Sequence, residues 1–248
     1  MEPILEIHSV SASYGQKIVL EDVDFRVNEG DFIGVIGPNG GGKTSLLKVI
    51  LGVLKPIKGE VVFRSDITKA SVGYLPQIST GDHSFPISVL DVVLSGLMPK
   101  KGVTARFSTT EKQYARKILS ELGISYLENS PLSELSGGQL QRVFLGRAII
   151  GEPKLLLLDE PGNFVDSTFE SSFYDKLKEL NRKMTILMVS HDIGTISAHV
   201  KSFACVNVKV HYHPSSEITN EQLLAYKCPI QLVTHGDVPH TVLKRHDI

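Results

Sequence analysis

Cysteine is scarce in this chain. Cys205 and Cys228 are the two in 248 residues, and they stand apart without the short spacings of a zinc site or the density of a disulfide framework. They read as ordinary thiols in a reducing compartment. An excess of charge of one sign is also missing, since 26 Lys and Arg face 27 Asp and Glu for a formal net charge of −1. A balance of that kind leaves no basic footprint, so no nucleic-acid partner is expected. The apolar runs are far too short to cross a bilayer, and Met1-Glu2-Pro3-Ile4-Leu5-Glu6 lacks the basic start and apolar core of a signal peptide. The expectation is a cytoplasmic protein. No internal repeat or low-complexity tract appears, and 42% hydrophobic with 21% charged residues is an ordinary globular composition.

Glycine, by contrast, is concentrated where it carries meaning. Gly37-Pro38-Asn39-Gly40-Gly41-Gly42-Lys43-Thr44 fits the phosphate-loop pattern of Gly, four residues, then Gly-Lys-Thr. It follows the apolar run Phe32–Ile36 and precedes Ser45–Ile50, which is the strand, loop and helix that the pattern requires. Successive backbone N–H groups and a helix N-terminus present positive dipole to phosphates. Lys43 adds a full charge, and the Thr44 hydroxyl suits Mg²⁺. A nucleoside triphosphate is therefore expected on Gly37 to Thr44, with Ser45 opening the helix beside it.

A second glycine-containing segment, Leu135-Ser136-Gly137-Gly138-Gln139, has no evident chemistry of its own. It resembles the signature of the ATP-binding cassette family. Tyr74-Leu75-Pro76-Gln77, Leu155-Leu156-Leu157-Leu158-Asp159-Glu160-Pro161, Asp166 and Val189-Ser190-His191-Asp192 follow the order of that family. The resemblance covers residues 4 to 210, and it resembles most the branch that imports zinc, manganese or iron. The segment Phe85–Val93 and the tail around Tyr226–Ile230, His235-Gly236 and Pro239-His240 carry that finer likeness.

Patterning agrees with the implied fold, an α/β phosphate-loop NTPase core of the RecA type with an antiparallel β subdomain and an inserted helical subdomain. Ile4–Ser13 partly alternates apolar and polar residues and Asp22–Val27 does so more clearly, as half-buried antiparallel strands do. Lys154–Asp159 and Met184–Val189 are apolar on both faces, as central parallel strands are. Between Gln77 and Gly151 the pattern turns helical, beginning at Ser88–Leu94. Ser108 with Glu111 has capping-box spacing and opens a helix that stops at Gly123. Gly96 to Phe107 reads as an exposed linker, and a helix is expected over Leu140–Ile150. The expected organisation is an ATPase domain over 1–210, its helical subdomain inserted at about 78–150, and a C-terminal extension over 211–248. That extension holds His211, His213, His235, His240 and His246 among nine histidines.

The resemblance implies roles residue by residue. Asp159 ends an apolar strand and organises Mg²⁺ together with Thr44 and Gln77; Glu160 is the general base, and His191 contacts the γ-phosphate. Gln77 also touches the attacking water. Tyr14 stacks on adenine. Ser136, Gly137, Gly138 and Gln139 form a helix N-terminus that receives the γ-phosphate of ATP held by a second copy, and Asp166 communicates across that pair. Cofactors are thus ATP and Mg²⁺. The partners are a second copy in a head-to-tail, ATP-dependent dimer, integral membrane permease subunits, and indirectly an extracytoplasmic substrate-binding protein. The chain would sit on the cytoplasmic face of the membrane as the ATP-hydrolysing subunit of a divalent-metal importer. Two alternatives stand beside this reading: a soluble cassette ATPase of DNA repair or translation, and an importer of a non-metal or chelated substrate. Repair members carry a long coiled-coil insertion and translation members two cassettes; neither is evident here. Position 41 is Gly where relatives usually carry a small non-glycine residue, which predicts a more flexible loop. Gly162-Asn163-Phe164-Val165 also departs from the family's small-residue version.

Overall fold

The computed structural model describes residues 3–77, 86–102, 106–162, 167–216, 230–235 and 238–243. Along the chain come β1 (Pro3–Tyr14), β2 (Lys17–Asn28), β3 (Phe32–Ile36), α1 (Lys43–Ile50) and β4 (Lys58–Phe63). Then follow β5 (Val72–Leu75), α2 (Val89–Ser95), α3 (Met98–Lys101), α4 (Thr109–Glu121), α5 (Gly137–Ile149), β6 (Leu155–Asp159) and α6 (Ser167–Asn181). Last are β7 (Thr185–Val189), α7 (Ile193–Ser197), β8 (Ser202–Asn207), β9 (Lys209–His213), β10 (Ile230–His235) and β11 (Val238–Leu243). The chain divides into two compact units, Met1–Asp66 with Asn181–Ile248, and Ile67–Leu180.

In the first unit, the alternating segments form the expected antiparallel sheet, in the order β2-β1-β4. Ile7 faces Phe25 in register; Leu5 and Ile7 are buried in alternation, and Val10 is buried beyond a register shift that follows Ile7. Glu6 and Arg26 pair in the same register and close a salt bridge of 2.6 Å, an exposed contact that adds under about 1 kcal/mol. A second layer holds β3 between parallel β7 and β8, and β9 returns antiparallel along β8. All five residues of β3 and of β7 are buried, which is why both read as unbroken apolar runs. The boundary expected at residue 210 falls within β9. β10 and β11 form an antiparallel hairpin that places His235 opposite Val238 and His240 opposite Val233.

In the second unit, β5 and β6 run parallel with Val72 opposite Leu155 and Leu75 opposite Leu158. Leu155 to Leu158 are wholly buried, and each stabilises the unit by roughly 1.5–3 kcal/mol relative to an exposed side chain. The helices start on the caps the sequence provides. Ser108 Oγ accepts from the Glu111 N–H at 3.2 Å, and Glu111 Oε2 accepts from the Ser108 N–H at 2.7 Å. Gly123 follows this helix with φ 68°, a left-handed stop. The segment Gly96 to Phe107 differs from the linker expected, because Met98–Lys101 is a helical turn with Pro99 fixing its start. Likewise α5 begins at Gly137 and not at Leu140, because the capping of Ser136 overrides the low helix propensity of two glycines.

Candidate nucleotide site

The phosphate loop leaves the carboxyl end of β3 and enters α1 in the first unit. No side chain caps α1: its N-cap is Gly42, in the left-handed region at φ 104°. A Cβ at Gly42 would lie 2.4 Å from the Val19 carbonyl oxygen, and one at Gly37 would lie 2.0 Å from that of Val206. These two positions accept no other residue. Lys43 is buried and its Nζ donates to the carbonyl oxygens of Gly37 at 2.9 Å and Pro38 at 3.0 Å, so the ammonium spans the loop it belongs to. Asn39 and Gly40 are exposed at the tip, Thr44 is half-buried, and Ser45 is buried in the first turn.

Gly41 differs from the sequence expectation. Its N–H donates to the Pro38 carbonyl at 3.0 Å and its own carbonyl accepts from the Val208 N–H at 2.8 Å. A Cβ there would meet the Val206 carbonyl oxygen at 2.8 Å. The extra glycine therefore marks close approach of backbone and not slack. Tyr14, at the end of β1, is half exposed, and Lys48 of α1 holds its Nζ 5.8 Å from the ring centroid.

In the second unit a carboxylate pair ends β6. Asp159 is 1% exposed, and the Tyr74 hydroxyl of β5 donates to its Oδ2 at 3.4 Å. Burial, and then the charge of Asp159, push the Tyr74 phenol up to about 12, so it remains a donor through neutral pH. Glu160 follows with φ 48°, a left-handed conformation uncommon for this residue type. Gln77, just beyond β5, donates from Nε2 to Glu160 Oε2 at 2.7 Å. Parallel pairing of β5 and β6 brings Tyr74 to Asp159 and Gln77 to Glu160, because both strands end at the same edge.

The signature turn, also in the second unit, is a complete capping box. Ser136 Oγ accepts from the Gln139 N–H at 3.4 Å and Gln139 Oε1 accepts from the Ser136 N–H at 2.8 Å. Gly137 and Gly138 fill the first two helical positions, where amides have no partner within the helix. His191 is exposed beyond β7, one residue before Asp192, which caps α7 through Thr195. Asp166 lies outside the described residues, as do Phe85, Asn163, Phe164, Val165, Cys228 and His246. Sequence patterning passed over two contacts. The Tyr74–Asp159 bond was visible only as an aromatic residue three places before Gln77, and the Val208–Gly41 bond had no local signal.

Glycines that only a close-approaching backbone explains, a lysine spanning them, and a buried aspartate ending an apolar strand define a phosphate-loop nucleoside triphosphatase. The chain belongs to the ABC transporter family, whose model matches residues 20–163. It is 36% identical over 221 residues to the probable metal transport system ATP-binding protein of Thermotoga maritima, covering 88% of each chain. It is 41% identical over 210 residues to the zinc transport system ATP-binding protein TroB of Treponema pallidum, covering 83% of this chain and 79% of that one. With the zinc uptake system ATP-binding protein ZurA of Listeria innocua it shares 38% over 224 residues and 87% of each chain. Among solved structures it is similar to a chain of a metal-chelate type ABC transporter in an inward-facing conformation, with TM-score 0.82, 27% identity and 98% of each chain covered.

Proposed function

We propose that this chain is the ATP-hydrolysing subunit of an importer of divalent metal ions, with zinc the first candidate. The observation that carries the reading is the identity of 36–41%, over most of the chain, to proteins named for metal and zinc transport. No helix among the described residues is long and apolar enough to cross a membrane, so permease subunits supply the transmembrane path and this chain lies against their cytoplasmic side. An extracytoplasmic binding protein delivers the ion. The repair alternative fits poorly: α2 to α5 span 4 to 13 residues each, and no coiled-coil insertion lies among the described residues.

In this reading Gly37 to Ser45 hold the phosphates of ATP, and Tyr14, half exposed, stacks on the base. The donor set suits Mg²⁺, which takes hard oxygens: the Thr44 hydroxyl, the Asp159 carboxylate and the Gln77 amide oxygen. Gln77 spends its amide nitrogen on Glu160, which leaves Oε1 for a cation. When bound, Mg²⁺ neutralises charge on the β- and γ-phosphates. Glu160 accepts the proton of the attacking water, Gln77 orients its carboxylate, and His191 supports the γ-phosphate. Ser136, Gly137, Gly138 and Gln139 cap the γ-phosphate held by a second copy of the chain, and Asp166 links the two copies. Closure of that pair on ATP, and its release after hydrolysis, moves the permease between its two access states.

The test is made on the complex purified with its membrane partner. ATPase activity should rise with a zinc-loaded binding protein above the level with the metal-free one. Equal stimulation by metal-free and metal-loaded forms would remove the metal reading while leaving the ATPase intact.

A further inference from the structure

Val208 is the turn residue between β8 and β9, and it has φ 61°. A β-branched side chain in the left-handed region is a strained conformation that persists only where the surroundings impose it. Two backbone hydrogen bonds impose it here. The Val208 N–H donates to the Gly41 carbonyl at 2.8 Å, and the Val208 carbonyl accepts from the Glu21 N–H of β2 at 2.9 Å. On the same side, Val206 closes on the loop so tightly that a Cβ on Gly37 or Gly41 would fall 2.0 or 2.8 Å from its carbonyl oxygen. The loop thus rests on the segment Val206–Val208 at two of its glycines.

From this we infer that the β8–β9 turn is a strut that sets the conformation of the phosphate loop, with Val208 as a positioning residue for nucleotide binding and Gly41 the residue matched to it. The reason is geometric. A phosphate loop binds through backbone amides that must all point inward, and the Gly41 carbonyl, once held by Val208, cannot rotate to turn the Gly41–Gly42 peptide over. Glycine at 41 would otherwise be the most mobile point of the loop, since its neighbours are also glycines. The strut replaces the restraint that a side chain at position 41 would give. It costs strain at Val208, which is anchored on β2 as well as on the loop and so cannot relax into the right-handed region without losing both bonds.

The inference rests on the reading of Gly37 to Ser45 as the ATP site, and the test separates the two. ATP affinity of the full-length chain is measured by calorimetry without Mg²⁺, and ATPase kcat and KM are measured separately with Mg²⁺ present. Val208→Pro removes the N–H and forces a negative φ. It should raise the Kd for ATP about tenfold or more and raise KM with little change in kcat. Val208→Asn keeps the donor and tolerates the left-handed region, so it should bind as the wild type does. Gly41→Ala should weaken binding, because its methyl group meets the Val206 carbonyl. Hydrogen exchange of the wild type covers the case of a Val208→Pro chain that does not fold: the Val208 amide should be protected without nucleotide and more so with ATP. A Val208→Pro Kd within twofold of the wild type, an equal loss in Val208→Asn, or an unprotected amide would each overturn the strut. Failure of the wild type to bind ATP would instead overturn the site itself.

Discussion

The helix starts at α1 and α5 are built from the same small residues and differ in what they leave open. At α1 no side chain caps the helix, the glycines are locked by neighbouring carbonyls, and a buried lysine supplies charge. At α5 a serine and a glutamine satisfy each other in a capping box, no acidic side chain stands in the first turn, and no lysine stands near in sequence. The first start is equipped to bind an anion within one chain. The second is rigid, with two glycine amides presented and no charge of its own, which suits an anion already neutralised elsewhere. The contrast teaches that similar glycine-rich turns are separated by what fills the cap position.

Four substitutions sharpen or break that contrast, and the largest effect is on hydrolysis. Glu160→Gln should lower turnover by several orders of magnitude, leave ATP binding intact and yield a dimer stable in ATP by size-exclusion chromatography. Near-normal turnover would sink the assignment of Glu160 as the base. Lys43→Ala comes next: calorimetry on the isolated chain should show ATP affinity reduced at least about a hundredfold, since the one full charge on the loop is gone. Retained affinity would mean that the α1 start is no more specialised than the α5 start. Ser136→Ala should lower the stability of the second unit by about 1 kcal/mol through loss of the cap. ATP binding by the isolated chain should be unchanged, while ATP-driven pairing weakens. If binding by the isolated chain fell as it does in Lys43→Ala, the two starts would not be separable.

The smallest effect concerns Tyr74 on β5. The Tyr74 phenol titrates higher in the folded chain, so between pH 10 and about 12 the unfolded state has lost a proton that the folded state keeps. Its stabilising contribution is therefore complete below pH 10 and lost as pH rises through about 12. Tyr114 adds a similar contribution, raised by burial and then by Glu152. Tyr74→Phe should flatten part of this alkaline fall in chemical-denaturation midpoint and leave the rest to Tyr114. An unaltered alkaline limb would show that burial and Asp159 do not raise the Tyr74 phenol in the folded chain.

Much of this molecule is legible in its residue pattern. The β3–loop–α1 unit lies within Phe32–Ile50, and the Ser108–Glu111 cap and the buried runs of β6 and β7 each lie within a few neighbouring residues, where side-chain period and cap chemistry act directly. The helical turn at Met98–Lys101 has no such local mark, because Lys, Gly and Pro around it read as linker. The role of Gly41 is hidden for a different reason: glycine's conformational freedom is a local property, whereas close approach depends on what arrives from elsewhere.

The sequence by itself determined where the phosphate-loop pattern, its lysine and the aspartate ending an apolar strand stand, since each is a local pattern of a few neighbouring residues. Tertiary structure alone decided how they are held. Tyr74 meets Asp159 because two parallel strands end together, Gln77 meets Glu160 for the same reason, and Val208 meets Gly41 because β8 runs beside β3. Those pairs lie far apart along the chain, and hydrogen bonds depend on distance in space, which only the folded sheet supplies.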